Sequence, residues 1–116
     1  MKKQIKLNGF LKSNEKNYDF SLFGEINNQI IAYRDNDVDV EIDLVNDVMK
    51  RFHEDYEIEF RFVKGVKNIN QLKLKDLDQH IDMDLYTIDI IKKDNYYFVS
   101  YELNNDELFE FELNYE

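Results

Sequence analysis

Apolar and polar residues take turns along most of this chain. In Val38-Asp39-Val40-Glu41-Ile42-Asp43-Leu44 every even position is apolar and every odd one acidic, the pattern of a strand with one face in a core and the other in water. Tyr56, Ile58, Phe60 and Phe62 alternate with Glu57, Glu59 and Arg61, and Ile81, Met83 and Leu85 with Asp82 and Asp84. Phe109, Phe111, Leu113 and Tyr115 alternate with Glu110, Glu112 and Asn114. Tyr97, Val99, Tyr101 and Leu103 form a further inward row, although Tyr96 and Phe98 make its other face partly apolar. Asn27-Asn28, Asp35-Asn36-Asp37, Asn46-Asp47, Glu54-Asp55, Lys93-Asp94-Asn95 and Asn104-Asn105-Asp106 stand between the runs, and Asn and Asp tolerate hairpin geometry. The pattern predicts an all-β protein, an antiparallel meander of about eight to ten strands that forms a closed barrel or a tight two-sheet sandwich.

One segment departs from the pattern. Val45, Val48, Met49 and Phe52 fall at helical spacing after Asn46 or Asp47 as a cap, which leaves room for one short helix. Read as a strand, the segment has no cleanly apolar side: Met49, Arg51 and His53 share one face, and Val48, Lys50 and Phe52 the other. The hairpin strands on either side favour the strand.

Composition narrows the picture. The chain has 116 residues, 43% of them apolar and 15% aromatic, which fits one domain over residues 1–116 with one core. There is no proline and there are three glycines, so Asn and Asp must supply most turn conformations and no flexible linker divides the chain. The absence of cysteine removes disulfides, thiolate nucleophiles and Cys-based zinc sites. Neither an apolar signal run nor an apolar stretch of about 18 residues occurs, so no membrane role is expected and the cytoplasm is the expected location.

A net charge of −10 opposes attraction to phosphate backbones, so nucleic acid is not an expected partner. The basic segment from Arg61 to Lys75, with Phe60 and Phe62, has the composition of a single-strand binding face. Strand alternation, however, puts the two rings on one side and Arg61 on the other.

Other motifs dissolve on inspection. Asp35-Asn36-Asp37-Val38-Asp39 begins like a calcium loop, but Val40 stands where the sharp turn needs Gly and Asn46 where a bidentate Glu belongs. His80, Asp82 and Asp84 share a strand face, yet same-face neighbours lie about 7 Å apart, too far for three to converge easily on one ion. No metal is assigned. His53-Glu54-Asp55 reads as a polar turn rather than a general base with its carboxylates. No nucleophile elbow, phosphate loop or dinucleotide fingerprint occurs, and neither Ser13, Ser21 nor Ser100 is marked as a nucleophile. No cofactor is expected. The aromatic rows, by contrast, can either line a ligand-binding interior or simply fill it, because an eight-stranded barrel is only just wide enough for large side chains.

Several stretches resemble the bacterial YwiB-like family of lipocalin-like (calycin) β-barrels of uncharacterised function. Arg61-Phe62-Val63-Lys64-Gly65 is similar to the family's strand end before its turn, and Met49-Lys50-Arg51 resembles the Met and Arg of the preceding strand. Ile81 to Thr87, Tyr97 to Leu103 and Phe109 to Glu116 follow its closing strand order, ending in Tyr115-Glu116. The chain departs from the family at Lys75 to Gln79, which lacks the usual proline and glycine, and at Val48 to His53, which is extended. The resemblance implies a calycin-type barrel and brings no catalytic residues.

Together, the inward aromatic rows and the resemblance lead to the expectation of a non-enzymatic barrel that binds a small, partly apolar ligand. Arg51, in the segment where alternation fails, is the expected polar anchor, and Tyr56, Tyr97 and Tyr101 the expected wall. The alternative is an interaction module with a filled barrel that works through an exposed strand edge or acidic surface, for example as a homodimer.

Overall fold

A computed structural model describes residues 2–116. Ten strands follow one another: β1 (Lys2–Ser13), β2 (Asn17–Asn27), β3 (Ile30–Asp35), β4 (Val38–Asp43), β5 (Val48–Phe52), β6 (Tyr56–Arg61), β7 (Lys67–Leu74), β8 (Gln79–Lys93), β9 (Tyr96–Leu103) and β10 (Glu107–Tyr115). Each pairs antiparallel with the next, and β1 pairs with β10 from Leu7↔Tyr115 to Ser13↔Phe109, so the meander closes into a barrel. Closure pairs the two edges that an open sheet of this length would expose and leaves part of β2, beyond its Gly24–Asn27 ladder with β3, without a partner on that side. No helix of the described residues is long and apolar enough to cross a membrane.

The turns use the chemistry available without proline. Asn28, Gln29, Asn36, Asp47, Asp78, Asn95, Asn104 and Asn105 have positive φ, and all but Gln29 are Asn or Asp, which pay the smallest steric cost there after glycine. Gly65, at φ 77°, serves the β6–β7 connection.

The segment with helical spacing contains no helix. Leu44–Asp47 form a turn in which Asp47 N–H donates to the Asp43 carbonyl at 2.9 Å, while Asp43 Oδ1 accepts the N–H groups of Val45 and Asn46, both at 3.0 Å. Asp43, three residues before Asn46, therefore supplies the side-chain oxygen, and its carboxyl is held below the usual carboxylate range first by the Asn46 amide and then by these backbone bonds. The positive φ of Asp47 then ends the turn and releases β5.

Inward rows of the strands meet in one core that includes Leu7, Ile31, Val40, Ile42, Leu85, Tyr97, Val99, Phe111 and Leu113. Ile81 is a correction: it keeps the inward register opposite Leu72, but β9 ends opposite Leu85, so Ile81 lies beyond the closed wall and is 46% exposed. A shift of register between Thr87 and Asp89 in β8 turns Ile90 and Lys92 to the inside, opposite Val99 and Tyr97. At Gly9, an added Cβ would collide with the Glu112 carbonyl and come within 2.8 Å of Phe20 Cζ. The missing side chain is what lets the Phe20 ring lie across β1.

Candidate functional site: an aromatic lumen with an unpaired arginine

Register decides what faces the lumen. Opposite residues in an antiparallel pair share a face, so Val40↔Arg51↔Ile58 and Ile42↔Met49↔Phe60 place Arg51 and Met49 on the inside of β5. The side that sequence alternation left ambiguous is thus the interior one, and Phe52 faces outward.

A cavity of about 370 Å³ opens at the end of the barrel where the β5–β6 hairpin turns. Met49 and Arg51 of β5, Tyr56, Ile58 and Phe60 of β6, and Leu72 and Leu74 of β7 form one side. Tyr101 and Leu103 of β9, Phe109 and Phe111 of β10, and Leu11 of β1 form the other. Its lining contains one charged side chain, Arg51, and no carboxylate.

The inner wall is a lattice of rings. Tyr101 stacks on Phe109 with centroids 5.3 Å apart and tilts against Phe62 at 5.1 Å and Phe60 at 5.8 Å. Phe20 bridges Tyr33, at 5.7 Å, to Phe111, at 6.2 Å. These separations lie in the range for favourable aromatic pairs.

Of the four residues expected at a site, three surround this cavity: Arg51, Tyr56 and Tyr101. Tyr56 stands at the rim, its ring stacked on His53 at 4.9 Å. Tyr101 is buried, and burial raises its phenol pKa while the Arg51 cation opposes the rise. Tyr97 is elsewhere. Its hydroxyl donates to Asp47 Oδ1 at 3.3 Å in the opposite end of the barrel, where Lys92 Nζ also reaches Asp47, at 3.2 Å, and the Leu44 carbonyl, at 3.0 Å. Burial first, and then the Asp47 charge, push the Tyr97 phenol up. This polar cluster sits at that end, so Tyr97 lies outside the cavity's lining.

Sequence reasoning also missed Tyr33, which belongs to the core and stands outside the cavity's lining. It is buried, burial raises its phenol pKa, and the Arg51 cation is again the first opposing influence. The alternation Ile31, Tyr33 against Ala32, Arg34 carried the signal.

The remaining motif residues are engaged in structural contacts. Asp35 accepts the Tyr18 hydroxyl at 2.8 Å, and Asp39 pairs with Arg34 at 3.1 Å. Asp82 and His80 both bond to Gln71, at 3.2 and 3.3 Å. His53 Nδ1 accepts the Asp55 N–H at 3.0 Å inside its turn. Arg61 pairs with Glu59 at 3.0 Å while Phe60 and Phe62 are buried, so rings and charge lie on opposite sides of the sheet as alternation requires.

No family model and no curated protein matches the chain. Among solved structures, the ywiB protein from Bacillus subtilis superposes with a TM-score of 0.73 over 99% of this chain and 92% of its own, at 14% identity. The two proteins share a fold. This agrees with the resemblance read from Met49-Lys50-Arg51 and the closing strands at the level of architecture. At that identity, the likeness to ywiB extends to the barrel and leaves the lumen to be argued from its own residues.

Proposed function

We propose that the protein is a non-catalytic binding barrel whose lumen holds a small, partly apolar molecule. The cavity beside the Tyr101 lattice carries this reading: its volume of about 370 Å³ lies within the roughly 300–1,000 Å³ typical of ligand pockets. The lining also supports binding over catalysis, because it offers two phenols, of which Tyr101 has a raised pKa, and a permanent cation, and no group poised to exchange protons near neutral pH. Charged outer strand faces suit a water-facing protein, in keeping with the cytoplasmic setting expected from the sequence.

Calorimetric titration with 1-decanol tests it. One molecule is expected to bind per chain with a negative heat-capacity change, and the Leu72→Trp variant, which fills the cavity, should bind none while it retains the barrel's circular dichroism. Absence of binding to the unmodified protein would remove the proposal.

A second reading rests on β2. This strand pairs with β3 only through Gly24–Asn27, and Phe23, beside the end of that ladder, is 78% exposed on the outer face. An unpaired strand segment next to an exposed ring suits strand addition by another chain. Sedimentation of wild type and Phe23→Glu distinguishes it: a dimer lost on substitution supports the adaptor, whereas a monomer in both leaves the lumen as the working site.

A further inference from the structure

The binding reading above does not say what kind of molecule occupies the lumen. We infer that its ligand is an amphipathic monocarboxylate of about a dozen non-hydrogen atoms, with its tail among the rings and its carboxylate on Arg51. The inference rests on the binding reading and goes one step further, to the charge of the ligand.

The arginines make the case by contrast. The chain has three, Arg34, Arg51 and Arg61. Arg34 holds Asp39 with both carboxylate oxygens at 3.1 Å, and Arg61 holds Glu59 at 3.0 Å, although both stand in open water where such pairs contribute little. Arg51 alone faces a lumen, half-buried, and has neither a hydrogen bond nor an ion pair among the described residues. A partly desolvated cation with no carboxylate in contact is the costly arrangement, and Asp35 and Glu107 act on the Tyr33 and Tyr101 phenols, as Arg51 does, only at a distance. The arrangement persists in a chain with 25 acidic side chains, none of which lines the cavity.

The neighbouring groups suit the same ligand. The Tyr101 hydroxyl, in the cavity's lining, makes no hydrogen bond to the protein among the described residues and lies within the reach of the Arg51 charge. Phenols that stay protonated can donate to a carboxylate that the guanidinium holds, and Arg's planar fork matches the two oxygens of a carboxylate. One cation balances a monoanion. A phosphate dianion would leave charge uncompensated in an apolar lumen. Size follows from volume: about 370 Å³ equals about a dozen waters at ~30 Å³ each, which is the scale of a ten-carbon acid.

Decanoate and 1-decanol, which share a tail and differ in head group, test the inference by calorimetry at pH 7. Wild type should bind decanoate about tenfold or more tightly than decanol. Arg51→Leu should weaken decanoate about ten- to a hundredfold, the range for a lost charge-assisted contact, and leave decanol unchanged or tighter. Arg51→Gln provides the same comparison with a polar side chain in place. Decanol binding as tightly as decanoate to wild type, or both variants losing the two ligands equally, would overturn the carboxylate assignment and leave the apolar cavity reading standing. Binding of neither molecule to wild type would overturn both.

Discussion

Single residues in this barrel differ sharply in how well their surroundings serve them. Thr87 is fully buried on the inward face of β8, and its hydroxyl, wholly enclosed by the protein, has no hydrogen-bond partner among the described residues. Its backbone is meanwhile used, since its carbonyl accepts the Gly65 N–H at 2.8 Å. A buried hydroxyl left unsatisfied costs about 1–3 kcal/mol, and valine has nearly the same shape without that cost. Thr87→Val is therefore expected to raise stability by about 1 kcal/mol in urea unfolding, with unchanged ligand binding; a loss of stability would mean that the hydroxyl has a partner. Legibility varied at this scale as well. Arg51 could be picked out because it lies in the one segment where alternation fails, which leaves a charge on each face. Tyr97 and Tyr101, four residues apart on one face of one strand, looked equivalent in sequence. What separates them is the partner each meets: Asp47, from a turn fifty residues away, caps Tyr97, whereas Tyr101 packs against the rings of Phe60, Phe62 and Phe109.

At the scale of elements, the weak seam is between β6 and β7. Their ladder runs only from Tyr56↔Leu74 to Ile58↔Leu72, and beyond it side chains replace the backbone. Asn70 Oδ1 accepts the Arg61 N–H at 3.0 Å, and Asn68 Nδ2 donates to the Arg61 carbonyl at 3.1 Å. Asn68 Oδ1 in turn accepts from Asn70 Nδ2 at 2.7 Å, so the two amides brace each other. Asn70→Ala orphans the Arg61 N–H, and a lost bond of this kind costs about 1–3 kcal/mol. Hydrogen exchange at Arg61 should then accelerate far more than exchange in the continuous β3–β4 ladder; equal acceleration in both would show that the seam has no separate opening. This seam was invisible in the sequence, where Lys67 to Leu74 has weaker alternation than its neighbours and Asn68 and Asn70 look like turn formers. The strands with acidic outer faces were legible because a single period-2 pattern fixes both their length and their buried side. The β5 segment was legible only by context, since one Asp43-capped turn produces the same spacing as the start of a helix.

The whole molecule adds what no strand contains. Alternation looks the same in a sandwich and in a barrel, and the choice is made by the pairing of β1 with β10, between the two ends of the chain. Closure also gathers every other turn at one end. The turns around the open mouth carry Glu15, Asp37, Glu54, Asp55, Asp76, Asp78 and Asp106 against Lys16 and Lys75, on a molecule of net charge −10. An anionic ligand must therefore cross a negative field to reach the cation inside. Salt screens the two unequally: the Debye length falls from about 30 Å at 0.01 M to about 8 Å at 0.15 M, which weakens the exposed rim far more than a contact within the lumen. Stopped-flow mixing, followed by tyrosine fluorescence because the chain has no tryptophan, should show the decanoate association rate rising severalfold over that range. Its dissociation rate should change little, and the rates for decanol should stay flat. Affinity for decanoate then increases with salt, the reverse of the usual behaviour of a surface salt bridge, because the rim opposes entry and the arginine acts only after it. An association rate that falls with salt would mean that the mouth attracts anions, and the opposition between rim and lumen would be wrong.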